Sequence, residues 1–319
     1  MSYDLLEYLK MAAPMFDSLV NSLSIASPTG PGSTGNDPEA LSTPLSDSWT
    51  VSPIPLLEYG DTLSFEGYAA LKFVVNWYMW IDALSRISIA SKTHAPLFNS
   101  YRHLHLFNVP ITALVQLDQL MGCKNWVMSL ICEIAELDHW KKSMQQANSF
   151  SVRELVNRSM TIENRLTSMT SEIYGPMEIT TELINKTERI LYITHVFALA
   201  ALTYLHTVVS GFNSSLPEIR QSVHNTLAAL EAVANPQALL PHVFWPFCIT
   251  GCIVEPEHEH RVRDLVTRAR VVSQDQPTID RWSLALLVLE NVWNKRNTGQ
   301  PLQDLGDAIQ IRGVPVLLI

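Results

Sequence analysis

Cysteine is scarce in this sequence. Cys123 and Cys132 stand nine residues apart, Cys248 and Cys252 four apart, and there are no others. Those spacings fit no zinc ribbon and no six-cysteine zinc cluster, so the four read as buried free thiols of a reducing compartment. Basic runs are missing as well: no five Lys or Arg stand together, and 22 basic against 31 acidic residues leave a net charge of −9. Nothing here drives binding to a phosphate backbone, so direct nucleic-acid binding by this chain is not expected. No stretch alternates as a strand would, and no repeat of fixed period occurs. The opening residues MSYDLLEYLKMAAPMF carry Asp4, Glu7 and Lys10, which does not suit a signal peptide, and a chain inside the cell, in cytoplasm or nucleus, is expected. Nucleophile elbow, Walker loop, His-Glu-x-x-His and paired-aspartate motifs are all lacking, and no cofactor is implied. Gly30-Pro-Gly32-Ser-Thr-Gly35 matches a dinucleotide fingerprint in letters only, because it lies in a low-complexity stretch rather than between a strand and a helix.

What is present is apolar residue at helical spacing. With 47% hydrophobic and 17% charged residues, the chain can bury a sizeable core. Residues 3–23 read as an amphipathic helix, with Leu5, Leu6, Leu9, Met11, Met15, Phe16, Leu19 and Val20 near helical spacing, interrupted by Pro14. Residues 24–55 turn to Ser, Pro, Thr and Gly and read as a flexible loop. Helices are then expected over 62–90, 110–121, 124–147, about 151–173, 178–211, 217–230, 257–273, 277–295 and 301–311. Ser151-x-x-Glu154 and Ser215-x-Pro217-Glu218 look like capping boxes. After Asn235-Pro236, a run carrying Phe244, Trp245, Phe247, Cys248 and Ile249 is apolar on nearly every side, so it should be a buried central helix. The expectation is an all-α fold of roughly ten to twelve helices, forming a single domain over 1–319 with no significant sheet.

Several residues could carry chemistry, each with a plainer alternative. Ile190–Phe212 contains no charged residue over a length that could cross a bilayer. Its His195, His206, Thr194, Thr203, Thr207 and Ser210 favour a buried core helix over a membrane span. Tyr192, His195, Leu199, Leu202 and His206 form one stripe on it, either a satisfied core face or a pocket wall. Asp82, beside Trp77 and Trp80, is either a hydrogen-bonded core acid or an acid whose pKa burial raises. Glu257-His258-Glu259-His260 reads as a solvated helix start, where acids suit the positive helix N-terminus, rather than a metal site. Cys248 and Cys252 suit helix packing better than ligation, and no metal is expected.

Trp245-Pro246-Phe247 with Gly251-Cys252 resembles the regulatory domain of fungal zinc-cluster transcription factors, whose late helix reads Trp-Pro-apolar-x-apolar-x-Gly-Cys. Other stretches follow the family in order: Leu5-Leu6-x-Tyr8 with Ala13-Pro14-x-Phe16-Asp17, Trp80-Ile81-Asp82-Ala83, Met121-Gly122-Cys123, Ala200-Ala201-Leu202-x-Tyr204-Leu205-His206, Pro217-Glu218-Ile219, Arg261 and Val292-Trp293. The zinc cluster itself is missing. The resemblance implies a regulatory domain that binds an apolar small molecule (terpenoid, sterol or polyketide) between helices and pairs as a homodimer. The pocket it suggests is Trp77, Trp80, Tyr192, His195, His206, Trp245 and Cys248. Two alternatives stand beside it. One is a stand-alone, cofactor-independent cyclase or isomerase of a fungal secondary-metabolite pathway, with His195, Asp82 and His206 as its candidate acids and bases. The other is a protein–protein adaptor.

Overall fold

The computed structural model describes residues 65–88, 105–106, 109–110, 115–173, 185–233, 235–270, 280–300, 302, 305–308, 310–311 and 314–315. The expected N-terminal helix 3–23, the 24–55 loop and the C-terminal residues 316–319 lie outside the described residues. Within them the fold is all-α. Sheet among the described residues amounts to two antiparallel pairs of two-residue strands, β1 (His105–Leu106) with β2 (Val109–Pro110), and β3 (Gln310–Ile311) with β4 (Val314–Pro315).

The helices in order are α1 (Phe65–Ser88), α2 (Leu117–Leu120), α3 (Asn125–Gln146), α4 (Val152–Ile173), α5 (Lys186–Ser210), α6 (Pro217–Glu231), α7 (Pro236–Leu239), α8 (Phe244–Ile253), α9 (Glu259–Ala269), α10 (Arg281–Asn297) and α11 (Leu305–Ala308). Short 3-10 turns, Leu240–Val243 and Pro256–His258, lead into α8 and α9. Helix α5 packs against α3, α4, α6 and α8, and α8 packs in turn against α6 and α10. All ten residues of α8 are buried, as expected of an element apolar on every side. Pro246 is tolerated there because it stands in the first helical turn, where no intrahelical N–H bond is lost.

Helix α5 is long and apolar enough to cross a membrane, but most of that stretch is buried inside the bundle. Two of its polar side chains, Thr194 and Tyr192, bond to neighbouring elements. Thr194 Oγ1 accepts from Lys124 N at the start of α3, and Tyr192 donates to Ala229 O of α6 at 3.1 Å. The helix starts at Lys186, later than periodicity alone suggests. Asn185 and Glu188 form a reciprocal capping box there, each side chain accepting from the other's backbone N–H.

Other boundaries move for equally local reasons. Ser151 does cap α4, its hydroxyl accepting from Glu154 N, but the Glu154 carboxylate turns to Arg158 instead of closing the box. At α6 the N-cap is Leu216; Ser215 bonds Asn213, and Glu218 accepts from Ser210. Within the expected helix 110–121 only Leu117–Leu120 is a described helix, and within 301–311 only Leu305–Ala308.

Two glycines are required by close approach. A Cβ on Gly122, whose φ is +78°, would lie 2.6 Å from Ile193 Cδ1 of α5. A Cβ on Gly251 would lie 2.7 Å from Leu289 Cδ1 of α10. At that contact Trp293 Nε1 donates to Gly251 O at 2.8 Å, and Arg296 reaches Val254 O and Glu259 Oε1, so α10 satisfies the carbonyls that end α8. On the other side Arg261 of α9 grips Glu231 in a two-pronged pair at 2.7 and 2.6 Å, and Arg268 donates to Glu231 O and Val233 O. The end of α6, which has no basic residue of its own in its last turn, is thus closed by α9.

Candidate functional site

The aromatic centre is built where α1, α5 and α8 meet. Phe197 of α5 stacks on Trp245 of α8, with centroids 5.6 Å apart and planes 14° apart. Trp80 of α1 tilts against the Phe197 ring at 5.2 Å and 58°. Trp282 of α10 meets Phe244 and Phe247 edge-on, each at 5.1 Å, and Arg281 lies over the Phe244 ring. Of the expected pocket residues the structure therefore brings Trp80 and Trp245 together. Phe197, which joins them, carries no sequence signal, because one more apolar residue on an apolar helix marks no face.

The tyrosine–histidine stripe is elsewhere on α5. Phe197 follows His195 by two residues, about 200° around the helix. Tyr192 is 2% exposed, with its hydroxyl already engaged by α6. His195 is half-buried, and burial pushes its pKa down to about 4, so it is neutral at pH 7. His206, three turns further along, is about 16 Å away by helical rise. Its Nδ1 lies 3.1 Å from Glu218 O and 3.3 Å from Ser222 Oγ, and its Nε2 lies 3.7 Å from Glu163. His206 ties α4, α5 and α6 together and does not join the aromatic centre. Asp82 is half-buried on α1. Trp77 is 43% exposed and faces outward with Phe73.

Two polar atoms of α8 stand out. Trp245 Nε1 and Thr250 Oγ1 are buried and meet no hydrogen-bond partner among the described residues. An unpaired buried N–H costs about 1–3 kcal/mol. Cys248 and Cys252 are free and buried, and burial raises both thiols, Cys252 to about 12 and Cys248 well above its usual range. Neither is a thiolate at neutral pH, so neither is poised as a nucleophile. Among the described residues no group of three His, Cys, Asp or Glu could hold a metal ion. In the Glu257–His260 stretch, Glu259 pairs with Arg263 and Arg296, and His260 bonds Glu257 O.

Sequence reasoning also missed an open cleft of about 420 Å³ between the start of α6 and the α8–α9 connection, lined by Pro217, Arg220, His224, Ile253, Glu255 and His258 among others. Arg220 and Glu255 neutralise each other across it at 3.0 Å. Its signal was hidden because the lining comes from two segments that only folding brings together.

Residues 50–319 match the family described as the fungal specific transcription factor domain, and the chain belongs to that family. Among curated proteins it is similar to the trichothecene biosynthesis transcription regulator TRI10 of Fusarium sporotrichioides, at 36% identity over 259 residues covering 81% of this chain and 56% of that protein. The regulator of the same name from Trichoderma arundinaceum is 34% identical over 261 residues, covering 81% and 57%. Transcription factor dibT of Pestalotiopsis microspora is 27% identical over 269 residues, covering 79% and 41%. The chain thus spans about half the length of the curated relatives it matches. No solved structure matches it.

Proposed function

We propose that this chain is the regulatory, ligand-responsive part of a nuclear regulator of fungal secondary-metabolite genes. In this reading residues 1–319 act as one domain. The chain binds an apolar small molecule bearing a hydrogen-bond acceptor, pairs as a homodimer, and leaves DNA contact to residues or partners outside it. The likeness to two trichothecene regulators over 81% of the chain supports the regulatory role. The observation that carries ligand binding is Trp245 Nε1, a buried donor that meets no partner among the described residues at the aromatic centre. A ligand carbonyl or hydroxyl oxygen is the chemistry that would satisfy it, amid ring faces that suit a terpenoid, sterol or polyketide skeleton.

The test is capture. The purified chain and a Trp245→Phe variant, which removes the N–H but keeps an aromatic ring, are incubated with apolar fungal metabolites, and bound and free fractions are compared by mass spectrometry. The reading expects a metabolite retained unchanged and held roughly tenfold less by the variant, the weight of one hydrogen bond. Retention unaffected by the substitution would remove Trp245 from the site. Conversion of a metabolite into a product would replace the regulatory reading with a cofactor-free enzyme.

A further inference from the structure

The open cleft between the start of α6 and the α8–α9 connection has the size and lining of a small-molecule site. Its volume of about 420 Å³ lies within the range such sites occupy. Val223 and Ile253, both buried, supply apolar lining. Arg220, His224 and His258 bring N–H donors, and neither imidazole has a hydrogen bond to another described residue. Glu255 is the single carboxylate of the lining.

Glu255 holds the place that a ligand carboxylate would take. Its Oε1 accepts from Arg220 Nε at 3.0 Å and lies 3.0 Å from Arg220 Nη2. The Arg220 side chain is 56% exposed, and an exposed ion pair contributes little to stability, so exchanging its anion costs little. A second cation stands ready for Glu255. Arg296 of α10 donates to Val254 O, the carbonyl next to Glu255 in the chain, and its Nε is buried with no partner among the described residues. Burial disfavours the Arg296 cation, and the charges of Glu259 and Glu255 oppose that effect. A ligand cation would strip Glu255 from Arg220 and leave that guanidinium without its carboxylate. A ligand anion leaves both Arg220 and Glu255 with an opposite charge.

We propose that this cleft binds an organic carboxylate with an apolar body. The ligand's carboxylate takes Arg220 in place of Glu255, and its body lies against Val223 and Ile253 with the His224 and His258 imidazoles beside it. The planar fork of Arg220 matches the two oxygens of a carboxylate. The site is distinct from the Trp245 donor, which stands about 12 Å along α8 from Ile253, and holds whether or not an apolar metabolite is captured there.

The full chain is titrated with 1-naphthylacetate, its uncharged amide and 1-naphthylmethylamine, with binding read by saturation-transfer NMR. The proposal expects the acid to bind roughly tenfold more tightly than the amide or the amine. Arg220→Gln should weaken the acid roughly tenfold, whereas Glu255→Gln, which removes the internal competitor, should tighten it severalfold. No binding of the acid, equal binding of acid and amide, or preference for the amine would overturn it. So would an Arg220→Gln variant that binds the acid as well as the native chain, or a Glu255→Gln variant that binds it no better.

Discussion

His195 gives the sharpest residue-scale prediction. In the unfolded chain its imidazole takes up a proton near pH 6.5; in the fold it does so only near pH 4, because burial disfavours the cation. Between those values the unfolded state holds more protons, so stability falls as pH drops through that window and is fully present above pH 6.5. The loss is on the order of 3 kcal/mol. Urea denaturation from pH 7 to 4 should show it in the native chain, and a His195→Gln variant should show a shallower fall; parallel curves would contradict the assignment. Gly251 makes a second point at this scale. Side-chain branches there would enter the space of Leu289 and Val262, both fully packed. Gly251→Val should cost about 3 kcal/mol by overpacking, read as a lowered urea midpoint. The glycine in Gly251-Cys252 was visible as a motif, but its reason was not: only the α8–α10 contact shows what a Cβ would strike.

Among elements, those with a clear apolar period or an uninterrupted apolar run were legible. Helices α3, α5, α6 and α8 sit within a few residues of where spacing put them, except that α5 begins at Lys186. Tertiary partners decided what spacing could not. Helix α1 is apolar nearly all round, so periodicity could not say that Phe73 and Trp77 face outward while Trp80 and Ile81 face inward. Ser215 resembled a cap in letters, yet its hydroxyl is taken by Asn213. The two-residue strands and four-residue helices are too short to hold any period. Caps and clamps can be tested directly. Asn185→Ala should cost α5 about 1 kcal/mol, measured as a shift in thermal midpoint, by removing the side-chain oxygen that accepts from Glu188 N. Arg261→Lys keeps the charge but cannot reproduce the two-pronged grip on Glu231, and should cost about 1 kcal/mol. Equal stability of the lysine variant would mean that the α6–α9 contact rests on apolar packing alone.

At the scale of the whole molecule, the family was readable from short motifs in order, and the bundle explains why they recur where they do. Trp245, Gly251, Arg261 and Trp293 all converge on α8 or on its neighbours α6, α9 and α10. The candidate pocket residues do not all come together: Trp80 and Trp245 meet through Phe197, whereas His206 serves the junction of α4, α5 and α6. Sequence spacing aligned His195 and His206 on one side of α5 but gave no weight to the rise that separates them. The central claim is that this bundle regulates transcription in response to a small apolar molecule. Fusing the full chain to an unrelated DNA-binding module upstream of a reporter, with and without the captured metabolite, tests that claim most directly. The account predicts reporter output that changes severalfold with the metabolite and a response blunted by Trp245→Phe. Output indifferent to the fused chain, with or without metabolite, would contradict it.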